Sequence, residues 1–237
     1  MDRLRPVKLI INKIGMLYVS MLCRREFRAQ RFYEINERPI ELAFLFRQLT
    51  RIWPKTVLDV GTGVTSLPHL MRTCGFVVTA IDNIKDYWPY GMVNRHYHVI
   101  NDDITSPQLR QTFDFITCIS VIEHIAEHDA AVKSMFSMLN PGGHLVITFP
   151  YNEGQYVENV YKLPGAGVKA IPTFITQVYS RRELDRWLRD NDGTLIEQEY
   201  WQFYTGDYWT FGDLVTPPRQ VTKELSHHVT CVLIRKN

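Results

Sequence analysis

The stretch Thr56-Val-Leu-Asp-Val-Gly-Thr-Gly-Val-Thr65 decides the fold, because it joins an apolar strand to a glycine turn. The apolar residues before the turn are typical of a strand buried on both faces: Val57, Leu58 and Val60. Gly61 and Gly63 then allow a sharp turn with no side chain between the backbone and a ligand. Asp59 can accept hydrogen bonds from a cationic or amide-rich ligand, whereas it would repel a phosphate. The turn is therefore a predicted ligand site whose acidic residue bears on the choice of cofactor.

The rest of the chain alternates strands and helices. Apolar runs predict strands at 76–81, 97–100, 113–119 and 144–149. Helical patterns predict helices that begin near Pro39, Leu67, His128 and Ser180, the last with a capping box formed by Ser180 and Glu183. Two later runs, 194–201 and 229–235, are predicted as closing strands joined by a long connection. This alternation indicates an α/β fold, with a doubly wound, Rossmann-like and mostly parallel sheet covered by helices on both faces.

The length of 237 residues and the hydrophobic content of 45% are enough for one large core. We expect a single domain overall, with an N-terminal helical segment (1–53), a Rossmann-like core (54–150) and an acceptor-binding or lid region (151–237) that completes the sheet. Four cysteines are scattered without metal-ligand spacing, which favours a reduced, cytoplasmic compartment. The net charge of +2 gives no general affinity for nucleic acid, so no nucleic-acid partner is expected.

The first 31 residues are basic, with eight Lys or Arg residues against two acidic ones. Apolar residues recur there at three-and-four spacing, which predicts a helix. A signal peptide is not expected, because Lys13 interrupts the apolar stretch and no small-residue cleavage site follows. The run is also shorter than the roughly 20 residues that a membrane span needs. Two interpretations stay open: a helix packed on the core or on a second subunit of a homodimer, or an interfacial helix against anionic lipid at the inner face of the membrane.

Acidic residues end three of the predicted strands. Asp59 ends the first strand, Asp82 the second, and Asp103 follows the third. In an open α/β sheet, the ligand lies beyond the carboxyl ends of the strands. Asp82 could accept both hydroxyls of a ribose, and Asp103 could accept from an exocyclic amine while Ile104 covers the base. The alternative for each residue taken alone is a cap on the following turn.

These motifs resemble the class I S-adenosylmethionine-dependent methyltransferases, in particular the small-molecule, sugar and lipid enzymes of the methyltransferase type 11 kind. The resemblance covers residues 56–149. It rests on five motifs in order, Val-Leu-Asp-Val-Gly-Thr-Gly63, Ala80-Ile-Asp82, Asn101-Asp-Asp-Ile104, Val121-Ile-Glu-His124 and Leu139-Asn-Pro-Gly-Gly143. Thr65 stands where many members have a third glycine, so we expect a stiffer turn. The rival dinucleotide fingerprint of nicotinamide oxidoreductases lacks its last glycine, which reads Ser66 here.

The resemblance implies a seven-stranded sheet with an antiparallel last strand, and S-adenosylmethionine as cofactor with S-adenosylhomocysteine as product. It places the methionine part at Asp59 and the glycine turn, the ribose at Asp82, the adenine at Asp103 and Ile104, and the sulfonium near Ser120. The full set of expected cofactor-binding residues is Asp59, Gly61, Thr62, Gly63, Thr65, Asp82, Asn83, Asp103, Ile104 and Ser120.

The expected reaction is an in-line methyl transfer that needs few catalytic residues. For a hydroxyl acceptor, His124 is the candidate general base, with Glu123 to orient it; a purely structural role of the pair is the alternative. No obligatory metal is expected. Thirteen aromatic residues between Pro150 and Phe211 either build a core and lid or bind a sugar. We expect O-methylation of a sugar, polysaccharide or small-molecule hydroxyl; the alternatives are a lipid or quinone precursor at the membrane, or cofactor binding without turnover.

Overall fold

The computed structural model describes residues 5–32, 36–167 and 175–237, and Phe174 of the aromatic region lies outside them. The chain forms two compact units, Met1–Asn36 and Glu37–Asn237. The first unit contains one helix, α1 (Arg5–Arg28), as the spacing of its apolar residues predicts. Within the described residues, no helix is both long enough and apolar enough to cross a membrane.

The second unit is an α/β structure built on one sheet of eight strands in the order β3-β2-β1-β4-β5-β8-β6-β7. The strands are β1 (Thr56–Val60), β2 (Val77–Asp82), β3 (Ile100–Asn101), β4 (Phe113–Ile119), β5 (Leu139–Pro150), β6 (Gly193–Tyr204), β7 (Leu214–Val221) and β8 (Val229–Lys236). The helices are α2 (Arg38–Ile52), α3 (Leu67–Thr73), α4 (His128–Met138) and α5 (Arg181–Asp190). The predicted α/β class is confirmed.

Strands β1 to β5 pair in parallel, and β8 runs antiparallel between β5 and β6. The expected antiparallel last strand is therefore present. The sheet has eight strands instead of the expected seven, because β7 pairs antiparallel with β6 at the edge. Strand β7 was not predicted from the sequence, because Pro217 and Pro218 interrupt its pattern. Proline cannot donate to a sheet hydrogen bond and is tolerated mainly in edge strands.

The core lies on both faces of the sheet. On one face, Phe44 and Leu45 of α2 pack with Val57, Phe115 and Val146 from the central strands. On the other face, the apolar residues of α4 and α5 pack with the sheet, among them Met135, Phe136 and Trp187. Helix α2 begins with Pro39 in its first turn, and α5 begins with the expected capping box of Ser180 and Glu183. Because β1 to β5 are parallel, their carboxyl ends lie at one edge of this packed sheet.

Two element boundaries differ from those expected. The third strand, predicted at 97–100, is only Ile100–Asn101. Tyr97 instead lies outside the sheet ladder, and its hydroxyl donates to the Val78 carbonyl over 2.7 Å. The fifth strand begins at Leu139, because this residue already pairs with Phe113 before the bulge that follows.

Candidate functional site

A cavity of about 630 Å³ lies at the carboxyl ends of β1, β2 and β4. Its walls come from the glycine turn after β1, the loop after β2, the segment after β3 and the 3₁₀ turn after β4. Ten of the expected site residues line it: Gly61, Thr62, Gly63, Thr65, Asp82, Asn83, Asp103, Ile104, Ser120 and His124. Asp59 and Glu123 do not line this cavity. The tertiary structure thus brings together residues separated by up to 63 positions in the sequence.

Asp59 lies beneath the glycine turn and is buried. Its two carboxylate oxygens accept from the hydroxyls of Thr62 and Thr117, each over 2.7 Å. Burial raises the pKa of Asp59 to about 6. The side chain lines only a smaller adjoining cavity of about 260 Å³. Asp59 therefore fixes the turn to β4, and its expected contact with a methionine group stays a prediction.

The glycine turn is held by side chains on both sides. The Thr65 hydroxyl donates to the Thr62 carbonyl over 2.8 Å. From the loop after β2, the Asn94 amide donates to the carbonyls of Gly63 and Thr65 over 2.9 and 2.8 Å. Gly61 and Gly63 have φ angles of +71° and +55°, a conformation that glycine adopts without strain. Thr65 thus adds a hydrogen bond inside the turn, and the expected stiffness of the turn stays a prediction.

Asp82 ends β2 at the cavity wall. One of its oxygens accepts from the Gly63 amide over 2.7 Å, and the other from the Trp88 indole over 2.8 Å. Burial raises its pKa above the ordinary value of 3.8. Each carboxylate oxygen can accept a further hydrogen bond, so Asp82 can still receive two hydroxyl groups of a ligand. The indole of Trp88 also covers Gly63, since a Cβ on that glycine would lie 3.5 Å from the ring.

The segment after β3 forms the next wall. Asp103 accepts from the Thr105 backbone and hydroxyl over 2.8 Å each and from the Asn83 amide over 3.2 Å. Ile104 is buried beside it and presents an apolar surface to the cavity. Asp103 therefore caps the following turn, which is the alternative role considered for it above. Its expected contact with adenine stays a prediction.

Ser120 directly follows β4 and has a positive φ of 48°, and a buried network from α2 holds it there. Glu41 is fully buried, and one of its oxygens accepts from the hydroxyls of Ser120 and Thr148. Arg38 donates to the other oxygen over 3.3 Å and to the Ile119 carbonyl over 3.0 Å. Burial raises the pKa of Glu41 above 4.5.

Sequence reasoning missed both Arg38 and Glu41, although Arg38 lines both cavities. The available signal was a charged pair, three residues apart, in the first turn of a helix whose other face is apolar.

His124 lies on the cavity wall, and its Nδ1 is 2.7 Å from the Ile175 carbonyl. A carbonyl only accepts, so Nδ1 carries the proton and Nε2 of the neutral ring does not. Burial lowers the pKa of His124 below its ordinary value of 6.5. Glu123 is buried behind it, with Oε1 3.8 Å from Nε2, and burial raises the pKa of Glu123 to about 8. The pair is thus a neutral imidazole beside a protonated carboxylic acid at pH 7.

A family model for a methyltransferase domain matches residues 27–198 of this chain. The chain belongs to this methyltransferase family. The chain is 26% identical over 182 residues to a ubiquinone biosynthesis O-methyltransferase of Pseudomonas putida, across 70% of this chain and 75% of that protein. It is 29% identical over 173 residues to the enzyme of the same name from Coxiella burnetii, across 67% and 71%.

The fold of this methyltransferase is also similar to that of a solved structure. This is the 1,6-didemethyltoxoflavin-N1-methyltransferase of Burkholderia thailandensis, solved with 1,6-didemethyltoxoflavin and S-adenosylhomocysteine bound. The two share 15% identity with a TM-score of 0.58, over 100% of this chain and 92% of that one. At this identity the likeness supports the fold alone.

The methyltransferase uses S-adenosylmethionine, and the residues of the cavity fit that cofactor. Asp82 would accept from the ribose hydroxyls, and Ile104 would pack against the adenine. Arg38 brings a cationic guanidinium to the cavity wall, where it would bind the carboxylate of the methionine part. Within the described chain, no group of three or more His, Cys, Asp or Glu residues could hold a metal ion.

The aromatic region after β5 builds the core of the methyltransferase. Tyr151, Tyr179 and Phe203 are buried, and Phe149, Tyr179 and Trp187 pack edge to face. Among the described residues after 150, only Ile175 lines the cavity. Of the two interpretations of these aromatic residues, the core therefore accounts for most of those described, because large flat side chains fill the space between β5, α5 and β6.

Proposed function

We propose that this methyltransferase transfers a methyl group to the hydroxyl oxygen of a small, flat and largely apolar acceptor, of the phenolic quinone-precursor class. Two lines of support point to this acceptor. The relatives from Pseudomonas putida and Coxiella burnetii are O-methyltransferases of ubiquinone biosynthesis. The cavity near His124 is lined by apolar side chains, including Val121, Ile125 and Ile175. Such a wall favours a phenyl ring over a sugar with many hydroxyl groups.

The observation that carries the proposal is the state of His124. Its Nδ1–H is committed to the Ile175 carbonyl, so the unprotonated Nε2 is the nitrogen that can take a proton. Burial lowers its pKa, which keeps the ring neutral at pH 7. A hydroxyl acceptor must lose a proton during the transfer, whereas a neutral imidazole is suited to receive one.

The cofactor supplies an electrophilic methyl group on a sulfonium. His124 would take the acceptor proton on Nε2 and so leave the acceptor oxygen free to receive that methyl group. Gln177 supports this arrangement, because its backbone and side-chain amides donate to the Glu123 and Ile125 carbonyls that flank His124.

The sugar acceptor expected from the sequence has less support. Tyr151, Tyr179 and Tyr204, three of the residues that suggested a sugar-binding surface, are buried away from the cavity. A sugar hydroxyl therefore serves as the competing arm of the test.

The test is turnover with isotopically labelled S-adenosylmethionine and two acceptor panels, substituted catechols and methyl glycosides. We expect labelled product from a catechol and none from the glycosides. His124→Gln should keep cofactor affinity and lower kcat by about 10²–10⁴-fold. Turnover of glycosides alone would contradict the acceptor class. Full turnover of catechols by His124→Gln would remove the base role, and cofactor binding with no product from any acceptor would indicate a protein without turnover.

A further inference from the structure

The first unit contains a helix whose large apolar side chains are exposed. In α1 the side chains of Ile11 and Ile14 are 62% and 63% exposed, and Met16, Leu17 and Phe27 are 71–73% exposed. A soluble protein seldom leaves so many large apolar side chains in water on one element unless they bind something. The function proposed above does not use this helix.

The apolar residues of α1 recur on one face and extend beyond it. Val7, Ile11, Ile14, Tyr18 and Met21 follow the three-and-four spacing of a single face. Leu9, Met16 and Val19 lie on the other sides of the same segment and are also exposed. This distribution is wider than the narrow seam that two packed helices bury, but it suits a helix that sinks into an apolar layer.

Basic residues flank this apolar segment. Lys13 is the only charged residue between Leu9 and Cys23, and Arg24, Arg25 and Arg28 follow at the C-terminal end. A long basic side chain can keep its charge in the headgroup layer while the helix lies in the interface. Two copies of this helix would bring like charges together, whereas an anionic surface attracts them.

We infer that α1 is a docking surface for an anionic lipid bilayer, lying in the interface parallel to the membrane plane. The apolar stretch from Leu9 to Cys23 is interrupted by Lys13 and is shorter than the roughly 20 residues of a membrane span, in agreement with the lack of a spanning helix among the described residues. Its 24 residues cover about 36 Å along the surface. Apolar burial and attraction of basic residues to anionic headgroups together hold such a helix.

The experiment is flotation of the full-length protein with two kinds of vesicle, phosphatidylcholine alone and phosphatidylcholine mixed with phosphatidylglycerol. We expect strong binding to the anionic vesicles and weaker binding to the neutral ones. The variant Arg24→Gln/Arg25→Gln/Arg28→Gln should lose roughly a hundredfold in partitioning to anionic vesicles, at about fivefold per charge. High salt should also weaken binding of the unmodified protein to the anionic vesicles, because salt screens the attraction between the basic residues and the headgroups.

A second variant tests the apolar contribution. Ile11→Ser/Ile14→Ser/Leu17→Ser should weaken binding to both kinds of vesicle by at least about a hundredfold. The matched control is Ile196→Ser/Leu225→Ser, which removes apolar residues of similar exposure from the second unit and should bind as the unmodified protein does. Unchanged S-adenosylmethionine affinity in every variant shows that the second unit is folded.

Three outcomes would overturn the inference. The unmodified protein could stay in the supernatant with anionic vesicles. It could bind, with the charge and serine variants binding equally well. Light scattering could show a dimer that the serine variant dissociates, without vesicle binding, in which case the occupant of this surface is a second copy. Each readout is independent of the acceptor, so failure here and failure of the proposed reaction are distinguishable.

Discussion

The contact between Gly61 and Val121 gives the sharpest test of how the glycine turn is built. Gly61 has a φ of +71°, and a Cβ added to it would lie 2.5 Å or less from both methyl carbons of Val121. Gly142 has nearly the same φ, +74°, but a Cβ there would have no atom within 4 Å. The two glycines therefore share the backbone strain of an alanine substitution and differ in the steric clash.

We expect Gly142→Ala to cost about 1–2 kcal/mol, the strain of an L side chain in the left-handed region. Gly61→Ala should cost the same strain plus about 1–3 kcal/mol of overpacking against Val121. For a unit of this size, that difference lowers Tm by roughly 2–12 °C. The cavity walls include Gly61 and Val121. Gly61→Ala should therefore weaken S-adenosylmethionine binding at least about tenfold, while Gly142→Ala leaves it unchanged.

Urea denaturation gives the free energies of unfolding, and titration calorimetry gives the cofactor affinity. The double variant Gly61→Ala/Val121→Ala removes the two clashing methyl groups, although the Val121 Cβ would still lie 3.0 Å away. It should therefore lose at least about 1 kcal/mol less than the sum of the single variants. Equal costs for Gly61→Ala and Gly142→Ala, within about 0.5 kcal/mol, would refute the steric explanation.

Three further predictions concern charged and titratable residues. Asp82→Asn should raise the Kd for S-adenosylmethionine by about 10–100-fold with little change in kcat at saturation, because an amide accepts at only one atom; calorimetry and initial rates check this. The rate with a phenolic acceptor should rise with pH through a pKa below 6.5 and then level off, since His124 must be neutral, and His124→Gln should abolish that rise. Glu123 is protonated in the folded state up to about pH 8 but ionises near 4.5 when unfolded, so its contribution to stability is lost as pH rises toward 8. Glu123→Gln should flatten the fall in the free energy of unfolding between about pH 5 and 8, and an unchanged slope would contradict the assignment.

The strands and helices that could be predicted from the sequence were those with a strong hydrophobic period or a clear capping or terminating residue. The run before Gly61 predicted a buried strand, and β1 is buried along most of its length. Ser180 and Glu183 predicted the start of α5 through their capping box. Strand β7 gave no such signal, because its apolar residues do not alternate and two prolines lie in its middle. It forms only because the exposed edge of β6 supplies hydrogen-bond partners.

The candidate site could likewise be predicted only in part. The order of Asp59, Asp82 and Asp103 along the chain was sufficient to infer a nucleoside cofactor at the carboxyl ends of the strands. Which atoms these carboxylates contact could not be inferred. Asp59 is occupied by two threonine hydroxyls beneath the turn, and Asp82 by an indole from a loop with no regular structure. Side-chain hydrogen bonds of this kind depend on distances between segments that local sequence patterns do not encode.

The sequence by itself determined the family, the α/β class and the edge of the sheet at which the cavity lies, because strand and turn patterns are local and repeat in a fixed order. Only the tertiary structure decided that Arg38 and Glu41 belong to the site, since α2 is brought against the end of β4 by packing in the core. It also decided that most of the described aromatic residues form the core. From the sequence alone, an aromatic residue on an apolar strand is equally compatible with a place in the core and with a ligand contact. The positions of the neighbouring elements decide between the two. The same neighbouring elements determine how deeply each acidic residue is buried, and burial in turn raises its pKa.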